Sequence, residues 1–473
     1  VRPTRTFHSY AKTNWDGFTA QLEEALSSFS PAGHPTLDAA VKEWTSIILT
    51  ASKRHVPAGF IRRHVPRFSR EVKALMQERN HLRSQHPTQA SLERAQTLSN
   101  EISRRLQDDA QNHWAEVLRS VDHRTTPTKF WRLVRSLHSR QVDEPDTHEA
   151  ILPPTSTKIP SRREQANLLV SHYAAISRLP HDRADRRVIR RLRRLTVERD
   201  LEPQFTVSQV KDAVKRLGNA TAAGPDGVTY AHLKHLGPNG IRSLADLFNE
   251  SIKLNVIPSI WKQAIIVPIL KPGKSPTIPG SYRPISLLCT PSKVLERLVL
   301  SKINHLLPIS PSQHGFRPLH STTTLLTSLS QSILEGLNHS KPAPRSLVTA
   351  IDISKAFDTV PRHILISKIL DTELPPCYKK WLANFVSGRQ GRVSYRGTVS
   401  KTRQFPNGVP QGAVLSPSLF NLFLHDLPTP RTDTVNIYSY ADDLTVVSQH
   451  SVVESATENL QTYVDRKSTR LNS

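Results

Sequence analysis

The chain has 473 residues, 37% of them hydrophobic, which is enough for a sizeable core divided among several folded units. Its 64 Lys and Arg against 40 Asp and Glu leave a formal charge of +24, and such a surface favours a polyanionic partner, with nucleic acid the leading candidate. No run approaches the ~20 apolar residues of a membrane span, and with Cys289 and Cys377 alone there is no disulfide framework or cysteine-rich zinc module.

Residues 1–60 scatter apolar and aromatic positions (Phe7, Trp15, Phe18, Leu22, Leu26, Trp44) compatible with short helices and carry no recognisable chemistry. From Arg70 to Arg119 the pattern is helical. Leu92, Ala95, Leu98, Ile102 and Leu106 recur every three or four residues while Arg104, Arg105 and Asp108 face elsewhere, so a pair of long basic helices is expected within a helical region 1–140. Residues 141–160 turn to Pro, Thr and acids without periodicity, which reads as a linker or extended arm.

Within the same 141–204 stretch, Arg183, Arg186, Arg187, Arg190, Arg191, Arg193, Arg194 and Arg199 crowd around a narrow stripe of Ile189, Leu192 and Leu195. Such a run is either a grip for RNA or a solvated helix face, and taken alone the second is commoner. After Phe205 the texture becomes short β-like apolar runs, Pro/Gly turns and amphipathic helices, the signature of an α+β domain.

Two places in that half present acids at strand ends. Val435 to Tyr440 alternates as a strand, Ala441, Asp442 and Asp443 interrupt it, and Leu444 to Val447 resume it, as in a β-hairpin. An Asp pair at a turn has a plain local explanation, because its side chains satisfy nearby backbone groups. A second, buried-looking strand, Ser346 to Ile351, delivers Asp352 and is followed by Ser354, Lys355, Ala356, Phe357 and Asp358. Carboxylates on two strand ends suit two-metal nucleotidyl transfer, since Mg²⁺ takes a few carboxylates together with phosphates and water.

The ordered set resembles the polymerase motifs of reverse transcriptases, and more narrowly those of jockey-like non-LTR retrotransposons. Gly224 to Gly227 resembles the entry motif, and Ile269 to Lys274 with Ser281 to Ser286 the fingers; Gln313 to Arg317 comes next. The strand with Asp352 resembles the first catalytic motif, Gly408 to Gly412 the template-gripping one and Tyr440 to Asp443 the second catalytic one. The resemblance spans roughly residues 205–464 and implies a right hand, with fingers over 205–345 and palm over 346–464, preceded by a mainly helical basic region.

Roles follow from the resemblance. Asp352, Asp442 and Asp443 are the expected catalytic acids, with Asp352 and Asp442 holding two Mg²⁺ ions or Mn²⁺ in their place. Lys271, Arg283, Phe357, Gln411 and Gly412 are the expected nucleotide-binding residues, the two cations for the triphosphate and Phe357 for excluding a ribose 2′-hydroxyl. Phe357 also reads as a plain core aromatic, and both readings stand. Gly227, Arg317, Gly408 and Tyr440 are expected against nucleic acid.

The implied partners are template RNA, a DNA primer and dNTPs, in the nucleus. The competing reading is an idle RNA-binding remnant of a decayed element, against which all three acids are present. The family places a nuclease before the region matching 1–60, and a further palm segment and a helical thumb after its second catalytic motif. Nothing after Leu460 supplies either. Residues 465–473 resemble the translation of a sequencing-library adapter, and the start at Val1 reads as that of a fragment.

Overall fold

The computed structural model describes residues 6–60, 69–84, 89–119, 151, 160–178, 184–197, 204–218, 222–428, 430 and 433–472. The chain divides into two compact units, Val1–Ser9 with Ala58–His148, and Tyr10–Pro57 with Glu149–Ser473.

The first unit pairs strand β1 (Thr6–His8) antiparallel with β2 (Ala58–Phe60) and sets helix Arg70–Ser84 alongside Gln89–Arg119. The expected pair of long helices is present. Val72, Ala95, Leu98 and Ile102 are buried between them. Arg105 bonds Glu71 and, at 2.8 Å, Glu101, so basic side chains brace the helix pair from its outer face.

The second unit takes in the two helices near the N-terminus, Trp15–Ala25 and Leu37–His55, which sequence had grouped with the basic helices. Their stripes of Phe18, Leu22, Val41, Trp44 and Ile48 are fully buried, and they lie against helix Pro238–Leu254. Trp44 donates its indole N–H to Ser243 Oγ at 3.0 Å, and the Glu23 carboxylate accepts from the amides of Asn239 and Gly240 at 3.0 and 3.1 Å. That carboxylate caps the helix start, where amides lack intrahelical partners and the dipole favours negative charge.

The strands of this unit are β3 (Gln263–Leu270), β4 (Tyr282–Leu287), β5 (Arg345–Asp352), β6 (Arg389–Tyr395), β7 (Thr398–Val399), β8 (Arg403–Phe405), β9 (Val435–Tyr440) and β10 (Asp443–His450). One sheet runs β4-β3-β6-β7 with β8 also on β6, and β3 and β6 are parallel. A separate antiparallel sheet runs β5-β10-β9. One mixed and one antiparallel sheet, with helices interspersed along the chain, make the α+β architecture expected from sequence.

Helix Arg162–Ile176 covers β6, β7 and β8, starting from a capping box of Ser161 and Glu164. The 141–204 stretch therefore includes packed structure after residue 160, because Ala166, Leu169, Val170 and Tyr173 form a buried stripe. Along helix Ala184–Arg194 and the residue after it the inward stripe is Val188, Leu192 and Leu195, while Ile189 is 48% exposed. Positions i, i+4 and i+7 share a face and the residue after the first does not. Arg191 bonds Asp371 at 2.5 Å and Ser367 Oγ at 3.2 Å; Arg183 and Arg199 lie outside the described residues.

β5 departs from the expectation of burial. Val348 is 50% exposed, and Ala350 and Asp352 on the same face are exposed too. The cause is one-sided cover: Ile351, Val446, Val435 and Ile437 on the other face pack on Leu460 and Tyr463 of helix Val453–Asn472.

Candidate active site

Cross-strand register brings the three acids together. Asp443 opens β10 and is paired with Asp352 at the end of β5 on one side and with Tyr440 at the end of β9 on the other. Asp442 sits on the two-residue turn between β9 and β10, after Ala441 in the left-handed region at φ 56°. Residues in direct cross-strand register have Cβ atoms ~5 Å apart, so Asp352 and Asp443 project from one face. Asp442 is half-buried, and burial together with the nearby Asp443 and Asp352 charges holds its carboxyl above the ordinary carboxylate range.

This is a cluster of negative charge without a lysine or arginine partner among the described residues. Nor do three or more acid, His or Cys side chains converge on one metal position among those residues. Carboxylate oxygens such as those of Asp352 and Asp442 are the hard donors that a divalent cation takes together with phosphate and water oxygens.

Asp352 and Asp442 line one open pocket with Lys271, Arg283, Phe357, Gln411 and Gly412. Lys271 follows β3 and its amide bonds Ser281 O at 2.9 Å, while Arg283 lies on β4, opposite Ile269. The β3–β4 pair thus sets two cations over one wall. Phe357 lies in a 3₁₀ turn, stacked on Phe420 at 4.7 Å and edge-on to Phe316 at 6.0 Å, and is both core aromatic and pocket wall.

The Gly408 to Gly412 loop is folded onto its own chain. Gly412 has φ 117°, and a Cβ there would lie 2.6 Å from Ser286 O; Gly408 has φ 86°, and its Cβ would lie 2.7 Å from Asp358 O. Glycine is needed at both because backbone approaches backbone. Gln411 donates from Nε2 to Asp358 at 3.0 Å, and burial pushes the Asp358 carboxyl up to about 6.

Gly408, Gly227, Arg317, Tyr440 and Asp443 are not among the pocket-lining residues. Gly227 has φ 74° and a Cβ there would meet Leu49 at 3.4 Å, while Arg317 directs its carbonyl to the His320 amide.

Two contributors escaped sequence reading. Helix Arg162–Ile176 puts His172 and Tyr173 into the pocket wall, and a His-Tyr pair in a helix carries no signal of that. Glu296 is fully buried and accepts from the amides of Val414 and Leu415 at 2.7 and 3.2 Å, holding the turn that follows Gly412. A signal existed here. Ser292, Glu296, Val299 and Ile303 form one buried helix face, and an acid on such a face demands partners.

Residues 269–473 match the family described as reverse transcriptase (RNA-dependent DNA polymerase). The chain is 34% identical over 268 residues to a probable RNA-directed DNA polymerase from transposon BS of Drosophila melanogaster, covering 54% of this chain and 29% of that relative. It is 33% identical over 270 residues to the RNA-directed DNA polymerase from mobile element jockey of the same species, covering 55% and 29%. The chain is thus similar to the polymerases of jockey-like non-LTR retrotransposons. A jockey polymerase from Drosophila funebris extends the similarity at 28% identity over 392 residues, or 78% of this chain and 41% of the relative. The chain thus spans less than half the length of these relatives. Among its described residues no helix is long and apolar enough to cross a membrane.

Proposed function

We propose that the chain is the polymerase part of such an element, transferring dNTPs to a DNA 3′ end on an RNA template. The observation that carries this is the cross-strand pairing of Asp352 with Asp443 beside Asp442, opening on a pocket with Lys271 and Arg283. In this reading the second sheet is the palm, and the first, with its two cations, belongs to the fingers. Two divalent ions, Mg²⁺ in the first instance, supply activation of the primer 3′-hydroxyl and charge neutralisation at the pyrophosphate.

Asp352 and Asp442 hold those ions, and Asp443 orients the turn or contacts the primer end. Lys271 and Arg283 bind the triphosphate and stabilise charge on the transferring phosphoryl group. Phe357 blocks a ribose 2′-hydroxyl, while Gln411 and Gly412 bound the nucleotide. Gly227, Gly408, Arg317 and Tyr440 line the nucleic-acid path around this pocket, and synthesis occurs in the nucleus on chromosomal primers.

The test is primer extension on an RNA template with Mg²⁺ and dNTPs. Asp442→Asn is expected to reduce the rate by ~10³-fold or more, as loss of a charge-stabilising group at a transferring phosphoryl does. Equal activity in both chains would sink the assignment. Inactivity of both, with salt-sensitive RNA binding retained, favours an idle remnant.

A further inference from the structure

Gln313 is 2% exposed although its side chain is polar. Its Oε1 accepts from the Ala441 amide at 2.9 Å and the Gly315 amide at 2.7 Å, and its Nε2 donates to the Ala441 carbonyl at 3.1 Å. One side chain thus satisfies both backbone polar groups of the left-handed residue immediately before Asp442. The surrounding backbones are tied as well: the His314 amide donates to Ser439 O at 2.8 Å and the Ser439 amide to Ser312 O at 2.9 Å. A Cβ on Gly315 would stand 2.2 Å from Ala441 N, so the contact tolerates no larger residue there.

A hairpin tip with a non-glycine residue at positive φ keeps that conformation only when its surroundings fix it. Here the fixing group is an amide, which offers one acceptor and one donor to one peptide unit. We propose that Gln313 is a positioning residue for nucleotidyl transfer: its side-chain amide clamps Ala441 and thereby sets Asp442 relative to Asp352. The inference rests on the reading of Asp352 and Asp442 as the metal-holding acids.

The full chain is compared with Gln313→Met, which keeps the volume and loses both kinds of bond, with Gln313→Glu, which keeps only the acceptors, and with Asp442→Asn. Three quantities are measured: amide hydrogen exchange over 440–443, affinity for Mn²⁺ by water-proton relaxation, and single-nucleotide extension. Gln313→Met should speed exchange at Ala441 and weaken Mn²⁺ several-fold. Its kcat should fall ~10- to 100-fold, as small misplacements of catalytic groups do, with KM for dNTP and template-primer affinity within about twofold of the parent. Gln313→Glu should fall between the two.

Parental kcat and Mn²⁺ affinity in a folded Gln313→Met chain would overturn the proposal. So would a loss of kcat matched by equal losses of template-primer affinity and thermal stability, which marks a general structural role. If Asp442→Asn binds Mn²⁺ as the parent does, the metal assignment itself fails and the proposal with it. That outcome differs from failure of the clamp alone, in which Asp442→Asn loses Mn²⁺ and Gln313→Met does not.

Discussion

At the scale of single residues, the site depends on positions where a side chain or its absence sets a distance. Gly412 combines φ 117° with a backbone oxygen 2.6 Å from where a Cβ would be. Gly412→Ala should therefore cost about 1–3 kcal/mol from strain alone, more if Ser286 cannot move. A urea unfolding midpoint equal to the parent's would contradict this. Phe357 is held by Phe420 and Phe316 while forming pocket wall, so its ring has little freedom to retreat from a ribose. Phe357→Val should raise ribonucleotide incorporation relative to deoxynucleotide by about tenfold or more. Competition between a dNTP and its rNTP on one template measures the ratio, and an unchanged ratio leaves Phe357 as core packing only.

At the scale of elements, the loop from Gly408 to Leu415 is positioned from below by a helix that touches no substrate in the proposed reading. Glu296 lies on helix Thr290–Ile303, bonds the Val414 and Leu415 amides, and sits in the field of the buried Arg389 guanidinium, whose pKa burial lowers to about 10. Glu296→Ala leaves the Val414 and Leu415 amides without their acceptor and removes the negative charge nearby Arg389 feels, which predicts a loss on the order of 3 kcal/mol. Chemical denaturation checks it; a loss under ~1 kcal/mol would mean that water replaces the carboxylate. The motif around Gly408 was legible in sequence, whereas its support was not, because 118 residues separate Glu296 from Val414.

At the scale of the whole molecule, buried acids and surface charge set the response to solution conditions. Burial pushes the carboxyls of Asp226 and Asp358 up to about 6. Each binds a proton more tightly folded than unfolded, so its contribution is fully present below the unfolded carboxylate range and is lost as pH rises from about 4 to about 6. For Asp226, 5% exposed, that is on the order of 3 kcal/mol. Asp226→Asn should flatten the fall in melting temperature across this window, and parallel curves for the two chains would refute the assignment. Of the Arg-rich helix, Arg191 is engaged by Asp371, while Arg186, Arg187 and Arg190 are exposed. If those three meet RNA phosphates, changing them to Gln should lower the slope of log affinity against log salt by about 2.

The sequence by itself determined the likeness to reverse transcriptases, the order of the motifs and the hairpin that carries Asp442 and Asp443. Those features are local: strand alternation, turn residues and short spaced motifs are fixed by near neighbours along the chain. Tertiary structure decided what depends on pairing across long separations. It set the register that places Asp352 opposite Asp443 over 91 residues and the open face of β5. It also placed residues 10–57 and 162–176 in the core of the second unit. The physical reason is that an amphipathic stripe, a buried acid such as Glu296 or a buried amide such as Gln313 declares that it needs a partner, and only the folded chain supplies which one.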